Sequence, residues 1–276
     1  MDLHKRHSTS PKALIKSVLQ NHQLIFQMTY REITQRYRGS MLGLIWSFIT
    51  PLFMLAVYTF VFSVVFKTRW GVDLEESKIQ FAVLLFVGLI THSLLAEIMN
   101  KTPLLIQGNV NFVKRVVFPL EILPIVSLGA TLFHALVSLS VLLITLFFFN
   151  GFIYWTTILI PLVWLPLVFT SLGFAWGLAS LGVFFRDISH ITGIITMVML
   201  FLAPVFYPLK AIPQKYHIWI MLNPLTFIIE QSRNVLIWGK MPNWYGLFIY
   251  LNISLVILWG GFWWFQKTRK GFADVL

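Results

Sequence analysis

The sequence predicts an all-α integral membrane protein, and its composition and long uncharged runs support that fold class. Hydrophobic residues make up 58% of the 276 residues and charged residues only 11%, with a mean hydropathy of +0.79. A soluble domain carries about 25% charged residues. This chain has too little charge to cover a soluble globule, and it contains several apolar runs of the roughly 20 residues that a transmembrane helix needs. Soluble globular, disordered and fibrous proteins are therefore excluded.

Six transmembrane helices are predicted from apolar runs that contain few or no charged residues. The first run and the fourth are uncharged, and the second is interrupted only by His92 and Glu97. The third and fourth runs exceed the length of one crossing, so we expect those helices to tilt or to begin at the interface. The predicted spans are residues 41–66, 79–99, 119–147, 155–185, 188–206 and 247–265.

The distribution of basic residues predicts that both termini lie in the cytoplasm. Six spans place the two ends on one side of the membrane, and about two thirds of the 21 Lys and Arg residues fall on that side. Cytoplasmic segments of membrane proteins carry the excess of Lys and Arg. Basic loops beside anionic lipids therefore explain the net charge of +11, and no nucleic acid partner is expected.

A long amphipathic helix is predicted before the first span, over residues 13–38. Apolar and aromatic residues recur there at spacings of three and four, and basic and amide residues recur on another face. Such a helix suits the plane of the membrane at the cytoplasmic leaflet. The alternative is a helix that packs on the protein's own bundle. Interface placement is favoured because the spans begin immediately after the helix.

The loop between the second and third spans combines helix signals with apolar and basic residues. Thr102–Pro103 can start a helical turn, Gly108 can end it, and Asn109 or Asn111 can cap a second short helix. That second helix carries valines on one side and basic residues elsewhere. Apolar residues with a basic rim favour a docking surface for another protein. The alternative is an ordinary boundary loop that Lys and Arg hold at the membrane surface.

The segment between the fifth and sixth spans, residues 207–246, has four prolines between short apolar runs. These runs are too short to cross a bilayer and suit re-entrant or interfacial helices. Asn223–Pro224 is a good helix start and Gly239 a good stop. Glu230 and Arg233 lie three apart on that helix, where they can pair. Tyr and Trp residues cluster here, as an aromatic belt or, alternatively, as stacking platforms for sugar rings.

The sequence lacks the motifs of catalysis, metal binding and nucleotide binding. Cysteine is absent, which excludes disulfides, thiol nucleophiles and Cys-ligated metals. Neither H-E-x-x-H, G-x-S-x-G nor a G-x-x-x-x-G-K-[ST] phosphate loop occurs, and no chain of ionisable residues forms a proton relay. If nucleotide energy drives this protein, another chain must bind the nucleotide.

Several stretches together resemble the permeases of ABC-2 type exporters for lipid-linked polysaccharides, the family that exports O-antigen, capsule and teichoic acid. The stretches occur in the family's order and cover nearly the whole chain, although no single one is as specific as a phosphate loop. They are RYRGSMLGLIW (Arg36–Trp46), NFVKRVVFPLEILP (Asn111–Pro124), FRD (Phe185–Asp187), NPLTFIIEQSRN (Asn223–Asn234) and GFADVL (Gly271–Leu276).

The resemblance implies a single ABC-2 type transmembrane domain over residues 1–276 in the bacterial cytoplasmic (inner) membrane. It implies a homodimer that works with two copies of a separate ATPase, which holds the ATP and Mg, while this chain has no cofactor. The substrate would be a lipid-linked glycan such as O-antigen or capsule. The N-terminal amphipathic helix would be the family's interface helix, and residues 207–246 would form a periplasmic gate loop.

The resemblance also implies a role for individual residues. A coupling helix over residues 109–117 would dock on the ATPase, spans one and five would line the glycan conduit, and a periplasmic gate helix would follow span five. The coupling residues are Asn109, Val110, Asn111, Phe112, Val113, Lys114 and Arg115; the conduit residues are Tyr58, Phe62, Phe201, Phe206 and Tyr207; the gate residues are Asn223, Pro224, Glu230 and Arg233.

Two other functions are weighed against the exporter. The first is a membrane-embedded glycan- or lipid-modifying enzyme, for which only Glu230 with Arg233 or His217 offers acid–base groups in the outer loop. The second is an ABC-2 permease for drugs or other small lipids, and it ranks lower because such permeases have larger outer loops or fused ATPase domains.

Overall fold

The computed structural model describes residues 8–61, 78–114 and 118–276, with side chains from residue 81 onward in the second segment. These residues form helices joined by short turns, without a strand, which confirms the all-α prediction for the described part of the chain. The helices are α1 Pro11–Gln20, α2 His22–Gln35, α3 Trp46–Phe60, α4 Lys78–Lys101, α5 Val110–Lys114, α6 Ile122–Asn150, α7 Ile160–Phe184, α8 Ile188–Leu202, α9 Gln214–Met221, α10 Pro224–Leu236, α11 Trp244–Thr268 and α12 Phe272–Val275.

Five helical segments of the described chain, not the predicted six, are long and apolar enough to cross a membrane. They are Gly43–Phe60, Phe81–Leu104, Ile122–Asn150, Trp155–Phe184 and Trp244–Val275. The fifth predicted span, 188–206, corresponds to α8, which ends at Leu202 after 15 residues. Pro204 explains the early end, because proline restricts the preceding residue to extended backbone, and Ala203 has φ −92° and ψ 152°.

Helix α4 lies at the centre of the bundle. Within its apolar stretch 78% of the residues are buried, compared with 11% in α3 and 17% in α11. The main apolar core surrounds α4 with side chains from α6, α7 and α10. Helices α3 and α11 therefore present most of their surface outward, towards lipid or another chain.

Helices α7 and α11 pack backbone to backbone through two glycines. A Cβ atom added to Gly261 would lie 2.0 Å from the carbonyl oxygen of Gly173, and one added to Gly173 would lie 2.5 Å from the carbonyl oxygen of Ile257. Small residues of this kind allow close helix approach in membranes, where dispersion contacts replace the hydrophobic effect as the source of association. This contact fixes the last long helix against the bundle.

The predicted helix over 13–38 is divided into α1 and α2 at Asn21. Asn21 has φ −106° and ψ 15°, and its side-chain amide donates to the carbonyl oxygen of Ser17 at 2.8 Å. Asn side chains compete with helical hydrogen bonds in this way, which explains the break. The pair has two apolar faces, one packed on the bundle and one exposed, and placement at the membrane surface stays a prediction. Leu24, Ile25 and Met28 pack on the bundle, whereas Leu19, Phe26 and Tyr30 are exposed.

Candidate functional site

The predicted coupling segment forms a short helix that rests on a second apolar core. Helix α5 covers Val110–Lys114, and Arg115 lies outside the described residues. Phe112 and Val113 pack inward, and the Phe112 ring stacks on Phe118 with centroids 4.4 Å apart. Asn111 and Lys114 are exposed. The outward surface of this segment is therefore more polar than its sequence pattern indicates.

The turns before α5 are anchored to α7. The side-chain amide of Gln107 donates to the carbonyl oxygen of Gly182 at 2.6 Å, and a Cβ atom at Gly182 would lie 1.8 Å from the carbonyl oxygen of Pro103. Asn109 donates from its side-chain amide to the carbonyl oxygen of Leu105 at 2.8 Å. A force on this segment therefore reaches α7 through backbone contacts.

Glu121, at the start of α6, joins four parts of the chain near this segment. Its carboxylate accepts from Arg269 Nη1 at 2.6 Å and from the Ser17 hydroxyl at 2.8 Å. Its backbone carbonyl accepts from the Trp176 indole at 3.0 Å. Arg269 also donates to the carbonyl oxygen of Phe118 at 2.8 Å. Helices α1, α6, α7 and the end of α11 therefore meet at one largely buried ion pair, which the sequence interpretation missed.

The C-terminal helix α12 completes this core. Phe272 is fully buried and meets Phe265 edge to face, with ring centroids 5.4 Å apart, and it also lies against Phe184 at 6.0 Å. Phe265 and Phe272 belong to the same apolar core as Phe112 and Val113. The tail motif is thus part of the core on which the predicted coupling segment rests.

Three of the predicted conduit residues lie together at the end of α8. The rings of Phe201 and Phe206 stack with centroids 5.7 Å apart, and the Tyr207 hydroxyl donates to the carbonyl oxygen of Phe201 at 2.7 Å. Burial raises the pKa of Tyr207 above its ordinary value. Tyr58 lines a separate cleft between α3, α4 and α6, and Phe62 lies outside the described residues.

The predicted gate helix begins and ends as its sequence indicates. The Asn223 side chain accepts from the backbone N–H of Leu225 at 3.0 Å, and Pro224 occupies the first helical position. The Asn223 amide also donates to the carbonyl oxygen of Met199 at 2.8 Å. Gly239, in left-handed backbone with φ 62°, follows the helix end. The cap therefore ties α10 to α8.

Arg233 is the central anchor of α10. It is 1% exposed and donates to the carbonyl oxygens of Leu84 at 3.0 Å and Pro204 at 2.6 Å. Its ion pair with Glu230, predicted from their spacing, measures 3.1 Å. Burial lowers the pKa of Arg233 to about 10, so the guanidinium stays charged at neutral pH. Through these bonds Arg233 joins α10 to α4 and to the turn that follows α8.

Arg233 and His217, the two groups considered beside Glu230 for the alternative enzyme, both make contacts with the backbone. Arg233 donates to backbone carbonyls, and a ring nitrogen of His217 lies 2.9 Å from the carbonyl oxygen of Ile212. No group of three or more His, Asp or Glu residues that could hold a metal ion occurs within the described ranges. Of the three groups considered for acid–base chemistry, Glu230 is paired with Arg233, and Arg233 and His217 contact backbone carbonyls.

The fold and these sites define a polytopic helical membrane protein. Residues 23–237 match the ABC-2 type transporter family. The chain belongs to that family.

Curated relatives match nearly the whole chain. It is 26% identical over 263 residues to the O-antigen export system permease protein RfbA of Myxococcus xanthus, covering 95% of this chain and 98% of that protein. The protein of the same description from Klebsiella pneumoniae is 26% identical over 255 residues, covering 92% and 95%. The polysialic acid transport protein KpsM of Escherichia coli is 25% identical over 232 residues, covering 84% and 88%.

Proposed function

We propose that this chain is the membrane-spanning permease subunit of an ATP-driven exporter that moves a lipid-linked polysaccharide, O-antigen or capsule, across the bacterial cytoplasmic membrane. The observation that carries the proposal is the match to O-antigen and polysialic acid transport proteins along 84–98% of the lengths compared. The absence of a phosphate loop from the sequence fits a subunit whose ATP and Mg are held by a partner ATPase.

The proposed assembly contains two copies of this chain and two copies of the ATPase. The outward apolar surfaces of α3 and α8 support a second copy as the partner, because Phe53, Ile194 and Met197 are 66%, 65% and 63% exposed. A conduit between the two copies would then be bordered by α3 and α8. Phe201, Phe206 and Tyr207, clustered at the end of α8, are suited to stack on sugar rings there.

The proposed coupling surface is the exposed side of α5 and the turn before it. Asn111 and Lys114 are exposed there, while the rest of the segment is anchored to α7 through Gln107. A rigid attachment of this kind is what mechanical coupling to an ATPase requires. The Arg233 contacts at α10 would hold the outer gate against α8 in the same way.

The proposed topology has both termini in the cytoplasm. Helix α8 spans about 22 Å at 1.5 Å per residue, less than the roughly 30 Å hydrocarbon core. We therefore infer that α8 and the following turn to Phe206 complete the remaining crossing, with α9 and α10 as re-entrant helices on the outer side. The cysteine-free sequence permits a direct test with Lys114→Cys and Tyr245→Cys, both at exposed positions. A membrane-impermeant maleimide added to whole cells should label Tyr245→Cys alone, and labelling of Lys114→Cys would contradict the topology.

The main experiment is purification of the tagged chain with a co-expressed phosphate-loop ATPase, followed by mass spectrometry of the bound lipid-linked glycan. We expect a stable complex whose ATPase rate responds to the glycan lipid. Lys114→Glu should weaken the complex, while Lys12→Glu, an exposed control on α1, should leave it intact. Transport or glycan modification by the chain alone would refute the proposal.

A further inference from the structure

A cleft of about 340 Å³ lies between α3, α4 and α6, away from the α8 aromatics and the α10 anchor. It contains both polar and apolar groups. Arg36, Tyr37, Glu97, Thr131 and His134 border one part of it. Hydrocarbon side chains border the rest, and they include Met54, Phe86, Leu89 and Ile90.

The polar part holds a buried hydroxyl group without a partner. Thr131 is 1% exposed, and its Oγ1 has no hydrogen-bond partner among the residues that the structure describes. Burial of a hydroxyl without a compensating hydrogen bond is unfavourable. Several other threonines avoid this by donating to the backbone carbonyl four residues earlier, as Thr145 does at 2.8 Å. Of the five unpartnered buried polar atoms in the described residues, Thr131 Oγ1 is the one whose residue lines this cleft, and an acceptor atom of a ligand there would satisfy it.

The cleft holds one guanidinium and several hydroxyl groups that can donate to a ligand. Its one carboxylate, Glu97, already accepts from Arg36 Nη1 at 2.7 Å, and the guanidinium has further N–H groups. The Tyr37 hydroxyl lies 3.4 Å from His134 Nδ1. Serine and threonine hydroxyls complete the lining, namely Ser47, Thr50, Ser93, Thr131 and Ser138. A donor-rich set with a guanidinium fits a group that only accepts, such as a phosphate.

The long axis of the cleft indicates what the phosphate is attached to. Phe86 lies eleven residues before Glu97 on α4, which corresponds to about 16 Å along a helix, and apolar side chains border the cleft between them. We propose that this cleft binds an amphiphile with a phosphate headgroup near Arg36 and Thr131 and a hydrocarbon chain along Met54 and Phe86. Basic pockets between transmembrane helices bind lipid headgroups by the same chemistry.

Two kinds of membrane lipid combine a phosphate headgroup with a hydrocarbon chain: a phospholipid and a polyprenyl phosphate carrier. The inference depends on the membrane setting of the chain and not on its cargo, so it can fail while the export proposal stands. The test uses the delipidated full-length chain in detergent. Native mass spectrometry then measures binding of phosphatidylglycerol, polyprenyl phosphate, diacylglycerol and inorganic phosphate.

We expect at least one of the two phosphate lipids to bind about tenfold more tightly than diacylglycerol, since one charge-assisted hydrogen bond is sufficient for that ratio. Preference for phosphatidylglycerol identifies a resident membrane lipid, and preference for polyprenyl phosphate identifies the carrier. Diacylglycerol that binds as tightly as the phosphate lipids overturns the proposal. Inorganic phosphate that binds as tightly as the lipids also overturns it, because the hydrocarbon half of the cleft then contributes nothing.

Matched variants distinguish a loss of lipid binding at the cleft from a loss of the folded protein. Arg36→Gln and Thr131→Val should each lower lipid affinity several-fold, while Arg38→Gln and Thr145→Val should leave it unchanged. Thr131→Val has a second readout, because removing an unpartnered buried hydroxyl should preserve or raise the unfolding temperature of the lipid-free chain. Unchanged lipid affinity in both Arg36→Gln and Thr131→Val contradicts the proposal.

Discussion

Adjacent glycines of α11 provide a matched test of the packing against α7. Gly261→Ala places a Cβ atom 2.0 Å from the Gly173 carbonyl oxygen, while Gly260→Ala meets no atom within 4 Å. Contact distances under 3.0 Å are not found for real Cβ atoms, and the obstacle here is backbone, which cannot rotate away. Helix α11 must therefore move outward by about 1 Å or more, since carbon and oxygen need separations above 3 Å.

The two substitutions should change stability in opposite directions. Alanine favours a helix interior over glycine by about 1 kcal/mol, so Gly260→Ala should be neutral or stabilising. Overpacking costs typically about 1–3 kcal/mol and occasionally more, so Gly261→Ala should be destabilising overall. At roughly 2–4 °C per kcal/mol for a chain of this size, we expect the midpoints to differ by several degrees.

The assay is thermal unfolding of the two purified variants in one detergent, with the wild-type protein alongside. The order expected is Gly260→Ala at or above wild type and Gly261→Ala below it. A Gly261→Ala midpoint equal to that of Gly260→Ala refutes the close approach of α7 and α11. Reduced insertion of Gly260→Ala would contradict its open surroundings.

Three further predictions concern Arg233, Glu121 and Tyr207. Arg233→Met should lower stability by about 2–6 kcal/mol, because it leaves the carbonyl oxygens of Leu84 and Pro204 without this donor at about 1–3 kcal/mol each, as measured by the thermal midpoint against the exposed control Arg31→Met, which should match wild type. Glu121→Gln keeps the side-chain shape but removes the charge paired with Arg269; it should lower the midpoint modestly and weaken the ATPase response to substrate, and an unchanged response would contradict a role of this junction in coupling. Tyr207→Phe removes one hydrogen bond of about 1 kcal/mol but preserves the aromatic ring, so export should persist in a cell-surface glycan assay, whereas Tyr207→Ala should reduce it.

Local signals in the sequence predicted local structure well. Asn223–Pro224 was sufficient to predict the start of α10, because both the cap and the proline act within a few residues. The spacing of Glu230 and Arg233 predicted their ion pair for the same reason. The division at Asn21 was missed because an asparagine tolerates both a helix interior and a break, and the bundle packing of α2 decides which occurs.

Long-range contacts were not accessible from the sequence. Glu121 and Arg269 are 148 residues apart, and no periodicity relates them, although two opposite charges at the ends of predicted spans were a signal that could have suggested a pair. The length of α8 was overestimated because its apolar run continues through Ala203, while Pro204 changes the backbone direction. The inward orientation of Phe112 likewise depends on distant residues, namely Phe118 and the apolar core that helix α12 completes.

The Arg233 contacts restrict how α10 can move relative to α4 and α8. One guanidinium holds the carbonyl oxygens of Leu84 and Pro204 together, and the Asn223 amide holds Met199. Helix α10, the C-terminal end of α8 and the adjoining turn of α4 therefore form one rigid block. If the proposed passage widens, this block must move as a whole, with bending confined to the N-terminal turns of α8 or to the links at either end of α9.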